Sequence, residues 1–153
     1  MRTPRAQRLS AGVVVVRRTA DGWLFLMLRA YRNWDFPKGL VESGEDPLMA
    51  ARREVQEETL IEDLHFDWGS TYVETAPYNR NKVARYYLAR TPIEAVSLPV
   101  RPELGRPEHH EARWMSRDEA LAHASPRVEA VIKWAVESIC TSPGSPAAPA
   151  AWK

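Results

Sequence analysis

A single cysteine, Cys140, stands in this 153-residue chain, so no internal disulfide can form. That usage fits a reducing compartment. Cys140 lies near the end of the sequence without the His and Asn context of a cysteine nucleophile. Long apolar runs are also missing. Val13–Val16 is far too short for the core of a signal peptide or for a membrane span. The chain therefore reads as a cytoplasmic soluble protein with no membrane partner. Net charge of one sign is absent: 21 Lys and Arg against 20 Asp and Glu leave a formal charge of +1. No global field recommends a nucleic acid or a lipid surface. No internal repeat is visible.

What is present is an ordinary globular balance, 44% hydrophobic and 27% charged. The length favours one domain with its own core, placed at residues 8–140. "TSPGSPAAPAAWK" (141–153) has the composition of a disordered, Pro- and Ala-rich tail. A monomer or a dimer is expected.

Apolar, β-prone runs at Ser10–Arg18 and Trp23–Leu28 flank Asp21-Gly22, a strong hairpin signal. "RAYRNWDFPKG" reads as a loop. Asp46-Pro47 reads as the N-cap and first residue of a helix reaching about Thr59. Strands are predicted over Leu64–Val73 and Lys82–Leu88. The four prolines in 91–110 predict a long irregular loop, a class that is often functional. A strand at Ala112–Met115 precedes a helix capped by Ser116 with Glu119 and ending near His123. Val128, Val131, Ile132, Ala135 and Ile139 recur at helical spacing in a final helix from Pro126. The order β-β-α-β-β-β-α-α predicts an α+β fold with a sheet between helices.

The charges are segregated locally. "FPKGLVESGEDPLMAARREVQEET" (36–59) holds five glutamates and one aspartate. With Glu54 at 0° on a helical wheel, Glu57 falls at about 300° and Glu58 at about 40°. Leu48, Ala51 and Val55 lie beside them, so the acidic face borders an apolar stripe and can look into a cleft. A solvated face is the usual account of a charge run. Crowded carboxylates, however, raise one another's pKa. A hard divalent cation, Mg²⁺ with Mn²⁺ as substitute, relieves that repulsion with oxygen ligands. Softer metals are disfavoured because the stretch has neither Cys nor His.

Gly39, Glu45, Arg53, Glu54, Glu57 and Glu58, with Val55 and Ile61 at the apolar positions, stand at a spacing that resembles the Nudix hydrolase signature. The resemblance implies a Nudix-type α/β/α sandwich with a mixed sheet between helices. It also implies metal-dependent hydrolysis of a phosphoanhydride in a nucleoside polyphosphate. By resemblance, Glu57, Glu58 and the Gly39 carbonyl hold metal, and Glu54 is a further ligand or orients the attacking water. Arg53 pairs with a glutamate of the motif, Glu45 first, in a structural role. The family often recruits an acid from outside the motif as base or ligand. Glu108 is the leading candidate and Glu111 the second. The catalytic set is then Glu54, Glu57 and Glu108. One departure stands out: Leu60 occupies a position where the signature has glycine.

The flanking residues resemble the asymmetric diadenosine tetraphosphate hydrolases within that family: Pro37-Lys38-Gly39 enters the motif, Lys82 opens an aromatic-rich strand, and "EHHEARW" follows. The substrate implied is diadenosine tetraphosphate, cleaved to ATP and AMP. Lys38 and Lys82 are candidate phosphate contacts, and Tyr78, Tyr87 and Trp34 candidate stacking surfaces for a purine. Tyr86 and Tyr87 point to opposite faces of a strand, so one belongs to the core. His109 and His110, being adjacent, also point apart, which favours polar roles over zinc ligation. Pyrophosphohydrolysis at a free nucleotide, ADP-ribose or an RNA 5′ triphosphate is the alternative reaction. The scattered arginines at 80, 85, 101 and 106 keep RNA open without forming a basic stripe. A non-catalytic nucleotide-binding module is the alternative from another class.

Overall fold

The computed structural model describes residues 8–141. Strands β1 (Arg8–Thr19) and β2 (Gly22–Ala30) form the hairpin predicted around Asp21-Gly22, with Val16 opposite Phe25 and Thr19 opposite Gly22. β1 also lies parallel to β6 (Lys82–Arg90), from Arg8 opposite Lys82 to Val16 opposite Arg90. The remaining pairs of this sheet are antiparallel, so the sheet is mixed. β3 (Asn33–Asp35) and β9 (Glu111–Met115) flank β2, β4 (Lys38–Leu40) pairs with β1, and β5 (Tyr72–Glu74) closes the far edge on β6.

The residues of β1 from Ala11 to Val16 are buried without a break. Strand alternation explains why the run carries no polar positions. Ala11, Val13 and Val15 pack with Ala50, Ala51 and Val55 of α1 (Pro47–Thr59) and with Ile61. Val14 and Val16 face the other way, toward Val128, Val131, Ile132, Ala135 and Ile139 of α3 (Pro126–Thr141). Ala120 of α2 (Arg117–His123) joins that second core. The sheet is thus buried on both faces, an α/β/α sandwich of α+β class.

α1 begins as its sequence dictates. The Asp46 side chain accepts hydrogen bonds from the amides of Leu48 (3.1 Å) and Met49 (3.2 Å), and Pro47 follows at the first helical position. The helix ends at Leu60, which takes the left-handed conformation (φ 62°, ψ 11°) and donates its amide to Gln56 O. The backbone therefore turns as it would with glycine, and a branched residue bears the strain.

The structure corrects the sequence reading in several places. The stretch read as a loop before α1 contains β3 and β4, three-residue strands too short to show a period. Leu64–Val73 is not a strand. His65 and Arg90 exchange their two backbone hydrogen bonds at 2.8 Å each, after which turn formers Asp67, Gly69 and Ser70 break the ladder and β5 starts at Tyr72. Residues 91–110 contain a two-stranded hairpin, β7 (Val100–Arg101) with β8 (Arg106–Pro107). α3 runs through Thr141, and 142–153, the rest of the stretch read as a disordered tail, lies outside the described residues. Among the described residues no helix is long and apolar enough to cross a membrane.

Candidate active site

β3, β4, α1, the turn before β6, β7 and the α2–α3 connection together wall an open cleft of about 1340 Å³. α1 lies along it, and its acidic side faces in: Glu54, Glu57 and Glu58 all line the cleft. Glu54 and Glu58 are 7% and 4% exposed, deep for carboxylates, because they border the stripe that Ala51 and Val55 bury. β4 runs so close that a Cβ on Gly39 would overlap the Glu54 carboxyl group. One residue earlier, the Lys38 amide donates to Glu58 Oε2 at 3.1 Å.

Arg53 ties the acidic residues together. Its Nε and Nη2 donate to Glu45 Oε2 and Oε1 at 2.9 and 3.0 Å, a bidentate pair. Its Nη1 reaches Glu54 Oε1 at 2.8 Å and Glu57 Oε2 at 3.2 Å, and Nη2 also donates to Leu40 O. These bonds span the loop between β4 and the helix and fix it to α1.

Electrostatics differ sharply along the row. Hydrogen bonds from Arg53 hold Glu45 at about 2. Burial pushes Glu58 well above the usual carboxylate range, with Glu108 and Glu54 adding to the rise and the Lys38 amide opposing it. Burial likewise raises Glu54, against the neighbouring Arg53 guanidinium. Two acids therefore sit where ionisation is disfavoured unless positive charge is supplied.

Glu108 enters the cleft from the segment after β8. Ligand atoms of Glu58, Glu108 and His109 lie within 4.8 Å of one another. Glu111, the second candidate acid, is instead consumed in ion pairs with Arg29 (3.2 Å) and Arg113 (2.8 Å). The adjacent histidines do point apart: His109 lines the cleft, whereas His110 Nδ1 accepts from the Tyr31 amide at 2.9 Å.

Lys38, Lys82, Tyr78 and Trp34 line the same cleft. Lys38 Nζ lies 4.0 Å from Asp35 Oδ2. Tyr78 carries the Arg127 guanidinium 4.3 Å from its ring centroid. Trp34 is only 8% exposed, with Arg113 5.0 Å from its ring centroid and the edge of His123 against it. It is a wall of the cleft, not a projecting platform. Tyr87 is elsewhere: 4% exposed, it packs in the α1-side core and meets Tyr72 edge-on at 5.6 Å. Tyr86, on the opposite face, is fully buried, so both tyrosines belong to the core.

The NUDIX domain family matches residues 6–135. The chain belongs to the Nudix hydrolase family. Among its relatives, an asymmetrical bis(5′-nucleosyl)-tetraphosphatase of Caenorhabditis elegans is 32% identical over 119 residues, 73% of this chain and 81% of that protein. An RNA pyrophosphohydrolase of Bartonella bacilliformis is 38% identical over 75 residues, but these cover only 40% of this chain and 44% of the other. A C. elegans Ap4A hydrolase binary complex superposes with a TM-score of 0.68 at 27% identity, over 82% of this chain and 93% of that one.

The donor set of this Nudix hydrolase fits a divalent metal. Glu54, Glu57, Glu58 and Glu108 all line the cleft beside the backbone of Gly39, and it is Glu58, Glu108 and the His109 imidazole whose ligand atoms cluster. Hard oxygen donors suit Mg²⁺, and one borderline nitrogen is compatible with Mn²⁺. Several cleft residues carry no sequence signal. Asp35 Oδ1 accepts from Tyr86 Oη at 2.8 Å and its Oδ2 from Arg127 Nη2 at 3.2 Å, while Arg127 Nη1 donates to Tyr86 Oη at 3.0 Å. This network joins β3, β6 and α3, elements that no local spacing relates. Arg101, read in the sequence only as one of four scattered arginines, also lines the cleft, a placement that no local spacing signals.

Proposed function

We propose that this Nudix hydrolase cleaves dinucleoside tetraphosphates asymmetrically, taking diadenosine tetraphosphate to ATP and AMP. The observation that carries the reading is the cleft itself, which joins four carboxylates to Lys38, Lys82 and Tyr78 in about 1340 Å³. Pockets for single small molecules run to roughly 300–1,000 Å³, so there is room for a second nucleoside. Similarity to the tetraphosphatases over most of both chains supports the same choice.

In this reading Glu57, Glu58, Glu108 and the Gly39 carbonyl hold Mg²⁺, for which Mn²⁺ can substitute. When bound, the cation offsets the phosphates' negative charge and acidifies the attacking water. Lys38 and Lys82 bind phosphate oxygens. Tyr78 offers a ring face to a purine. Glu54, whose proton affinity burial raises, accepts the proton of water as its oxygen forms the new bond to phosphorus. The anhydride P–O bond breaks, and its electron pair leaves with the departing nucleotide. Arg53 and Glu45 keep the loop and the carboxylates in register.

The test is a substrate panel with Mg²⁺: diadenosine tetraphosphate, nucleoside triphosphates, ADP-ribose and triphosphorylated RNA. The tetraphosphate should give the highest kcat/KM, with ATP and AMP as products. A preference for the RNA 5′ end would instead favour the pyrophosphohydrolase reading, which the shorter similarity to RNA pyrophosphohydrolases supports. Glu57→Gln should abolish turnover in a folded protein. Unchanged activity in that variant would leave only a nucleotide-binding module.

A further inference from the structure

Arg101 opens the β7–β8 hairpin on the cleft wall. Its Nη1 lies 3.7 Å from Glu57 Oε2 and 3.5 Å from Glu108 Oε2, while Nε and Nη2 both donate to Glu103 Oε1 at 3.3 and 3.2 Å. Arg53 also touches Glu57, but a bidentate Glu45 pair and the Leu40 carbonyl hold that guanidinium in place. Arg101 is anchored instead by Glu103, an exposed residue of the turn beyond it, so its hold does not depend on the two acids of the cleft. Its two contacts there are long and single, and the hairpin turn beyond it, 102–105, is exposed. A guanidinium anchored on an exposed turn can give up its long contacts to Glu57 and Glu108 while keeping Glu103, without breaking packed structure.

Glu57 and Glu108 come from α1 and from the segment after β8, and Arg101 bridges them from a third element. Its charge compensates these two acids. A divalent ion taking the same oxygens would bring two cations together, and their repulsion would expel the weaker ligand. Lys38 and Lys82 line the same cleft as Arg101 and are the other cations a polyphosphate there could meet. The planar fork of the guanidinium matches phosphate oxygens.

We propose that Arg101 is the exchangeable cation of this site: it pairs with Glu57 and Glu108 in the ion-free protein, yields them to the divalent ion, and then binds the substrate's polyphosphate. The inference rests on the functional reading above and deepens it.

Mn²⁺ is titrated calorimetrically into the wild type and into Arg101→Gln, without nucleotide. Removing a competitor of this exposure should tighten Mn²⁺ binding about two- to fivefold. Arg101→Lys, which keeps the charge, should stay within about twofold of the wild type on the same grounds. With saturating Mg²⁺ and the best substrate of the panel, Arg101→Gln should raise KM about tenfold, as loss of a charge-assisted phosphate contact does, with kcat little changed. Equal or weaker Mn²⁺ binding by Arg101→Gln overturns the exchange. Tighter binding with an unmoved KM overturns the transfer to substrate. A wild type that binds no Mn²⁺ removes the metal-dependent reading, and this inference with it, so the two failures are distinct.

Discussion

Gly39 and Glu54 are packed so tightly that any side chain at position 39 would overlap the Glu54 carboxyl group. The glycine of the motif is therefore a spacing requirement between β4 and α1, in addition to whatever its carbonyl binds. Gly39→Ala must push Glu54 aside. Displacing Glu54, the proposed base, by about 1 Å can reduce the rate ~100-fold, and overpacking costs about 1–3 kcal/mol. Steady-state kinetics should show a loss of that order, with a lowered Tm and an unchanged far-UV spectrum. Near-normal turnover would show that Glu54 tolerates relocation.

The Arg53–Glu45 pair sets an acid limit on stability. Glu45 titrates near 2 in the fold against 4.5 for an ordinary glutamate. Because the folded value is the lower one, the pair stabilises the protein above pH 4.5 and loses that contribution as pH falls toward 2. Glu45→Gln should melt earlier than the wild type at neutral pH, by a constant margin down to pH 4.5. The two melting curves should then converge in stronger acid. A margin that persists at the lowest pH would assign the pair's effect to packing.

Glu58 predicts the opposite sign. Burial raises its folded value above the unfolded one, so its ionisation destabilises the fold increasingly as pH rises through the ordinary carboxylate range. Glu58→Gln keeps an oxygen to accept from the Lys38 amide and removes the charge. In EDTA at neutral pH this variant should melt above the wild type; a gain of about 1 kcal/mol would shift Tm by about 2–4 °C. Mg²⁺ should raise the Tm of the wild type by mass action and barely move the variant. A variant less stable than the wild type in EDTA would refute the buried-charge account.

Leu60 holds a left-handed backbone with φ 62° while 53% exposed. Strain there is about 1–2 kcal/mol for a non-glycine residue. Little burial is lost on truncation, but glycine gives back about 0.4–1 kcal/mol through unfolded-chain entropy. Leu60→Gly should therefore be stabilising by a few tenths to about 1 kcal/mol, read by chemical denaturation, with kinetics unchanged. A clear loss of stability would mean that the Leu60 side chain contributes packing beyond its exposure.

Tyr78 and Tyr87 separate by position. Tyr78→Ala should raise KM roughly tenfold or more, as expected for loss of a base stack of about 1–3 kcal/mol. Tyr87→Phe should leave both kinetic constants unaltered, since the ring lies in the α1-side core. Equal effects in the two variants would contradict this division of roles.

The parts legible in the sequence are those governed by neighbours along the chain. Asp46-Pro47 starts α1, the Asp21-Gly22 turn joins β1 to β2, and helical spacing brings Glu54, Glu57 and Glu58 to one edge of a helix. The continuous apolar run of β1 already requires cover on both faces. Three-residue strands left no such trace, because pairing with β1 and β2 defines them and periodicity does not.

Only the tertiary structure decided which residues meet. Glu108 enters the cleft while Glu111, three positions on, is paired away on β9. Tyr78 faces the cleft and Tyr87 does not. Arg127 reaches Asp35 across 92 residues. The chain's local chemistry determined the acidic helix and the strand alternation. Register, crossover and packing of distant elements determined the site's other wall, because contacts between remote residues depend on where whole elements lie and not on spacing along the chain.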